Sequence, residues 1–169
     1  AASDVYKRQP DSIKGTYGFW YSEIGWNICV TVSPDNWTIG TIPIDTVVLM
    51  SLGQEISVYN CGNCDINLGL QFLSSTPLSW IPGTVTDNNQ FVLMAFLSRD
   101  RHPPESYGIS DYIRDTLVWI GDGVYGMSRS YLLPNDTYFL WLRFASPTWS
   151  HSFVTNTIIM AIYTKRNLP

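Results

Sequence analysis

The stretch ISVYNCGNCDINLGLQF, Ile56–Phe72, is the clearest guide to the fold. Ile56 and Val58 alternate with Ser57 and Tyr59, which is the two-residue period of a half-buried strand. Gly62-Asn63 then offers a turn that tolerates positive φ. The same alternation resumes beyond it, at Ile66, Leu68, Leu70 and Phe72. The pattern therefore predicts a strand, a tight turn and a second strand.

Further strand patterns, separated by turn residues, occupy most of the chain. They lie at Asn27–Val32, Trp37–Ile42, Val47–Met50 (a short buried run, strand or loop), Gln90–Leu97, Thr116–Ile120, Thr137–Phe144 and Phe153–Tyr163. No sustained 3.6-residue apolar period is present. About eight to ten strands at intervals of ~8–12 residues indicate an antiparallel β-sandwich. We expect one all-β domain over residues 10–169, either jelly-roll or immunoglobulin-like.

The composition favours an extracellular or cell-surface protein. Of the 169 residues, 45% are hydrophobic and 14% aromatic, but only 14% are charged, against about 25% in ordinary soluble domains. The net charge is −4 and the basic residues are scattered, so nucleic acid is not an expected partner. No apolar run approaches the roughly 20 residues that span a bilayer, and we expect no membrane span.

The first nine residues, AASDVYKRQ, differ in character from the rest. They resemble the translation of a sequencing-library adapter, so we interpret residues 1–9 as an artefact. The alternative is a flexible mature N-terminus, because Ala-Ala-Ser is a plausible start after signal cleavage. Residues 13–26 follow and are aromatic and poor in charge.

Three cysteines leave at least one thiol without a partner in the same chain. Cys61 and Cys64 flank the turn, and a disulfide between them is one interpretation; two ordinary thiols are the other. A redox Cys-x-x-Cys would open a helix, whose N-terminus lowers a thiol pKa. Zinc would need four ligands. Cys29 as a third and a histidine as a fourth are the alternative, but a second Cys-x-x-Cys or a His pair is absent. No metal site is expected.

No catalytic pattern is present. The two histidines, His102 and His151, do not accompany a Gly-x-Ser-x-Gly motif. Glu105, Asp111 and Asp115 lie in a predicted loop, where we expect solvated carboxylates. We therefore expect a protein that is not an enzyme and that needs no cofactor.

The seven tryptophans admit two interpretations. Carbohydrate-binding modules stack sugar rings on exposed aromatic side chains, and Trp80, Trp119 and Trp149 are the candidates for such a row. The favoured interpretation is burial in the core or between subunits.

A family resemblance rests on short motifs between Trp26 and Tyr163. Trp37-x-Ile39-Gly40 and the Asn60-x-Gly62-Asn63 turn with Asp65 and Leu68 or Leu70 resemble secreted jelly-roll and immunoglobulin-like surface proteins. The later motif runs from Leu140-Trp141-x-Arg143-Phe144 to Pro147-Thr148. The pattern is also similar to the TasA and camelysin class of biofilm fibre subunits and to archaeal bundling pilins. The cysteines beside the turn depart from this pattern.

That resemblance implies a structural subunit that donates an N-terminal strand to its neighbour. We therefore predict self-assembly into a filament or surface layer. The candidate donor residues are Ile13, Tyr17, Phe19, Trp20, Tyr21 and Ile24. The alternative function is a carbohydrate-binding module or adhesin, with polysaccharide as partner. Asn36 and Asn135 begin glycosylation sequons, whose use depends on the host.

Overall fold

The structure is a computed structural model, and it describes residues 25–76, 80–150 and 155–167. The described part is all-β. Its strands are β1 (Val30–Ser33), β2 (Val47–Leu49), β3 (Ile56–Asn60), β4 (Ile66–Thr76), β5 (Ile81–Pro82), β6 (Gln90–Ser98), β7 (Val118–Trp119), β8 (Thr137–Ala145) and β9 (Thr157–Arg166).

The strands form two sheets. The first has the order β1-β3-β8-β6-β5. On the same side of β8, β3 pairs with residues 137–140 and β2 pairs with residues 143–145. The second has the order β7-β4-β9. All pairings are antiparallel except the short β5–β6 pair, which is parallel. The prediction of an all-β sandwich is confirmed.

β8 is the centre of the first sheet because its sequence is apolar on both faces. Tyr138, Leu140 and Phe144 belong to the core between the sheets, and Trp141 on the opposite face is 0% exposed. A strand that is buried on both sides is expected to be nearly continuous in apolar residues.

The core joins both sheets in one cluster. β4 contributes Ile66, Leu68 and Leu70, which are at most 1% exposed. Trp80 stacks on Phe144 with ring centroids 6.2 Å apart, and Phe91 lies 5.9 Å from the same ring. Aromatic contacts of this kind add to the burial of apolar area that stabilises the sandwich.

Ile56–Phe72 is a connection between sheets and not a hairpin. β3 pairs with β1 and β8, whereas β4 pairs with β7 and β9, so the two predicted strands do not pair with each other. The turn between them is held by the buried side chain of Asn60, which accepts the Gly62 N–H and donates to the Cys64 carbonyl. The alternation correctly identifies both strands, but turn residues alone do not show which strands pair.

Two other segments differ from the prediction. Residues 37–42 form no strand, although Trp37, Ile39 and Ile42 pack partly against the core. Gly40 adopts φ +82° inside this segment, which interrupts extended backbone. In the predicted buried run at 47–50, Val47 and Leu49 are more than half exposed, and only Met50 is fully buried.

The long loop after β6 covers the outer face and the far edge of the first sheet. Ala95 donates to the Asp111 carbonyl, Ile113 to Leu93 and Leu97 to Tyr125. These bonds close the edge of β6 that β5 reaches only at its first residues. In the described part of the chain β1 remains an outer strand of the first sheet, and β9 and the two-residue β7 are the outer strands of the second.

Candidate assembly edge

The long edge strand β9 pairs on one side, with β4, and with no other strand in the described part of the chain. The Asn167 N–H donates to the Asp65 carbonyl at 2.9 Å. In an antiparallel pair, residues that exchange main-chain hydrogen bonds alternate with residues that do not. The main-chain N–H and C=O groups of residues 161, 163 and 165 therefore point toward β4. The main-chain groups of Met160, Ile162 and Thr164 consequently point away from the sheet.

The sequence of β9 does little to protect this edge. Thr157–Arg166 contains no proline and no acidic residue, and its charges are confined to Lys165 and Arg166 at the end. Natural proteins usually shield exposed edges with charges, proline, bulges or a covering element. The one irregularity, a register shift between Phe72 and Ser74, lies in β4. The edge is thus suited to main-chain pairing with another strand.

The side chains of β9 divide cleanly between two faces. Ile158, Met160 and Ile162 pack against the core. Ile159 and Tyr163 lie on the outer face and are 48% and 39% exposed. Leu73 of β4, which is 49% exposed, lies beside this outer row next to the Ser74–Ile159 pair.

The described chain begins beside the end of β9. The guanidinium of Arg166 lies 3.9 Å from the ring centroid of Trp26, and Trp26 is 59% exposed. This cation–π contact holds the start of the chain against the last residue of the strand. The predicted donor residues Ile13, Tyr17, Phe19, Trp20, Tyr21 and Ile24 lie outside the described residues.

The second outer strand, β1, is a weaker candidate. It has four residues and is followed directly by Pro34. Proline lacks the N–H that a ladder needs, so it limits any extension of this edge.

The three tryptophans proposed for sugar stacking do not form an exposed row. Trp80 is 8% exposed, and its indole N–H donates to Ser150 Oγ at 3.0 Å, so its assignment to a sugar platform is wrong. Trp119 lies on β7 and carries the Lys165 ammonium 4.2 Å from its ring centroid. Trp149 is 47% exposed and forms a bridge with Asn88.

The disulfide joins Cys29 to Cys61 and not Cys61 to Cys64. Cys29 and Cys61 face each other where β1 and β3 pair, with the Cys61 N–H donating to the Cys29 carbonyl and a Cα–Cα distance of 4.9 Å. That separation is within the range that a disulfide bridges. Cys64 instead turns inward as a free thiol, is 4% exposed, and approaches the Asn27 carbonyl at 3.6 Å.

Comparison of this chain with protein-family models, with curated proteins and with solved structures finds no match. The resemblance to fibre subunits therefore stays a prediction. Over residues 25–76, 80–150 and 155–167, no helix is long and apolar enough to cross a membrane. The same residues contain no group of three His, Cys, Asp or Glu side chains placed to hold a metal ion.

The sequence predicted a candidate donor strand but did not identify β9 as an edge. The apolar alternation of β9 was recognisable, but its neighbours were not. One signal was available: residues 157–164 lack any charge, which is unusual for a strand that ends up at the rim of a sheet.

Proposed function

We propose that this protein is a non-catalytic structural subunit that polymerises by strand addition, with β9 as the acceptor. The observation that carries the proposal is the ten-residue edge strand whose outward main-chain groups, at 160, 162 and 164, have no bonding partner among the described residues. Each of these residues offers one donor and one acceptor to an incoming strand.

The donor is the segment Ile13–Trp26 of a neighbouring subunit. Its twelve residues before Gly25 span about 40 Å when extended, enough to cover a ten-residue strand. Tyr17, Phe19 and Tyr21 follow the two-residue spacing that places side chains on one face of a strand. Within one subunit Trp26, the last residue of this segment, lies against Arg166 at the end of β9.

Strand addition of this kind can continue from one subunit to the next. The donor and the acceptor are different surfaces of the same chain, so each added subunit carries a new acceptor edge. A heterologous contact of this kind gives an open polymer unless its rotation closes a ring. The extracellular or surface location expected from the composition is consistent with a filament or layer.

A truncation tests the donor. The chain lacking residues 1–24 is compared with the full chain by light scattering and negative-stain microscopy. Polymers of the full chain and monomers of the truncated chain are the expected result. A full chain that stays monomeric at high concentration contradicts the proposal, and so do polymers that persist after truncation.

An edge variant tests the acceptor. Ile159→Lys adds a charge on the exposed side of β9 and uses the device by which natural edges are blocked. Ile109→Lys is the matched control, because Ile109 is 84% exposed in the loop after β6. We expect polymers to disappear in the first variant and to remain in the second. Equal assembly of both variants would exclude β9 as the acceptor.

A further inference from the structure

A small cleft opens on the outer face of the first sheet, away from β9. Its volume is about 270 Å³, slightly below the roughly 300–1,000 Å³ of typical ligand pockets. The floor is formed by β6 and β8 and the walls by the loops before β2 and before β6. Its lining includes Asp45, Val47, Thr84, Val85, Thr86 and Arg143.

Arg143 on the floor is a half-buried cation without an anionic partner in the described part of the chain. Its Nη1 lies 3.3 Å from Met94 Sδ, and a thioether is only a weak acceptor. In sequence it is the one Asp, Glu, Lys or Arg residue between Asp136 and Lys165. A guanidinium withdrawn from water in this way is unfavourable unless something pairs with it.

No carboxylate in the described part of the chain forms an ion pair with Arg143. Asp111 is 3% exposed, but its oxygens accept the Gly108 N–H at 2.6 Å and the Ser110 hydroxyl at 3.5 Å. Burial, and then Asp111, raise the pKa of Tyr107 to about 12, while Arg143 opposes that rise. The Tyr107 hydroxyl is therefore neutral at physiological pH and supplies no counter-charge to Arg143.

The walls of the cleft are rich in groups that bind hydroxyls. Asp45 is exposed on one wall and makes no ion pair with Arg143, and Thr84 and Thr86 lie on the other. No hydrogen bond within the described residues engages the Asp45 carboxylate or these two threonine side chains. Val47 and Val85, which are 51% and 65% exposed, form an apolar rim.

We propose that this cleft binds a small hydroxylated carboxylate, namely a sugar acid. Arg143 takes the carboxylate through its two-pronged guanidinium, a geometry that lysine does not reproduce. Asp45 and the threonines accept and donate hydrogen bonds to the ligand hydroxyls, and the volume restricts the ligand to about one ring. This site is separate from the assembly edge and does not depend on polymerisation.

The test is a titration of the full chain followed by NMR or calorimetry, with three probes. D-glucuronate carries both the carboxylate and the hydroxyls, D-glucose lacks the carboxylate, and acetate lacks the hydroxyls. We expect saturable binding of glucuronate at concentrations up to about 10 mM, and at least tenfold weaker binding of the other two. Because the sugar acid is a single residue, a uronate polymer tested afterwards distinguishes a polysaccharide source from a free metabolite.

Three variants separate the contribution of Arg143 from general effects. Arg143→Gln should reduce glucuronate affinity at least tenfold without lowering stability, since it removes an unpaired charge. Arg143→Lys should restore only part of the affinity, and Arg129→Gln, at an exposed arginine outside the cleft, should leave it unchanged. If Arg143→Gln fails to fold, Val85→Trp tests the site by closing its rim.

Several results would overturn the proposal. Absence of glucuronate binding at about 10 mM excludes it, as does binding that survives both Arg143→Gln and Val85→Trp. Equal binding of glucose shows that the carboxylate is not recognised. Equal binding of acetate reduces the site to a simple anion site and refutes the sugar-acid assignment.

Discussion

The side chain of Asn60, at the end of β3, reaches across to the main chain beside β4. Its Nδ2 donates to the Leu132 carbonyl at 3.2 Å, and Leu132 in turn exchanges main-chain hydrogen bonds with Ile66 of β4. A second bond from Nδ2 reaches the Cys64 carbonyl at 3.0 Å, and Oδ1 accepts the Gly62 N–H at 3.0 Å. One fully buried amide therefore links the two sheets where the chain crosses between them.

Replacing Asn60 by Ala should destabilise the protein by about 2–4 kcal/mol. The substitution leaves buried carbonyl and N–H groups without partners, and each unsatisfied group carries a penalty of about 1–3 kcal/mol. Urea unfolding followed by tryptophan fluorescence measures the change. Asn36→Ala, at an exposed asparagine in a turn, should stay within about 0.5 kcal/mol of the parent. Similar values for the two variants would show that the Asn60 bonds do not stabilise the crossing.

The Cys29–Cys61 disulfide should contribute roughly 3–4 kcal/mol, because it closes a loop of 32 residues in the unfolded chain. The double variant Cys29→Ser/Cys61→Ser should lose this stability, measured by the same unfolding experiment. Cys64→Ala is the control and should retain the disulfide.

Peptide mapping without reduction checks the pairing directly. The peptide that contains Cys29 should be linked to the one that contains Cys61, and thiol labelling of the denatured, unreduced chain should modify Cys64 alone. Labelling of Cys29 instead of Cys64 would contradict the Cys29–Cys61 disulfide and support the predicted Cys61–Cys64 disulfide.

The stability of the protein should fall in acid through Glu55. Burial of this carboxylate would raise its pKa, but hydrogen bonds from Arg101 and from the Gly53 N–H at 2.6 Å outweigh burial and hold the pKa below 4.5. The stabilisation is present above the unfolded pKa and is lost as the pH falls through the lower folded value.

Glu55→Gln should therefore be less stable near pH 7, by about 1–2 kcal/mol, and should show a smaller loss of stability below pH 4.5. This loss is moderate because the partner Arg101 is 65% exposed and solvent weakens the ion pair. Thermal unfolding from pH 7 to pH 3 measures both effects. Glu105→Gln, at an exposed glutamate, is the comparison, and an identical acid profile for it and for Glu55→Gln would refute the assignment.

Gly69 lets Trp119 lie against β4. A Cβ at this position would stand 2.7 Å from Leu117 Cδ1 and 3.0 Å from Trp119 Cε3. Gly69→Ala should consequently displace the indole and destabilise the protein by about 1–3 kcal/mol. Gly25→Ala, where no atom lies within 4 Å, is the matched control. Urea unfolding of the two variants measures the difference in their stability. Equal stability would mean that Trp119 does not pack against Gly69.

Much of the fold class was accessible from the sequence. β6 and β8 were predicted almost to the residue, because a strand buried on both faces is a continuous apolar run. The prediction failed at residues 37–42, where the aromatic and branched side chains contact the core from a loop. Local alternation does not distinguish a strand from a loop whose side chains pack inward.

The candidate sites were less accessible. The proposed donor segment could be named from its aromatic, weakly charged sequence. The proposed acceptor β9 could not, because a strand becomes an edge only through the arrangement of its neighbours. In the sequence, Arg143 was recognised only as part of the motif Leu140-Trp141-x-Arg143-Phe144 and not as a residue that could bind a ligand. Its lack of an ion pair within the described residues and its place on a cleft floor depend on loops distant in sequence.

By itself the sequence determined that this chain forms β-strands, where most of them lie, and that few charges cover them. Those properties arise from the side chains and from the two-residue period of an extended backbone. Only the tertiary structure decided that Cys61 pairs with Cys29, that Ile56–Phe72 joins two sheets, and that β9 stands at an edge. These features depend on which distant residues meet, and many pairings satisfy the same local pattern, so the choice among them is made by packing of the whole core.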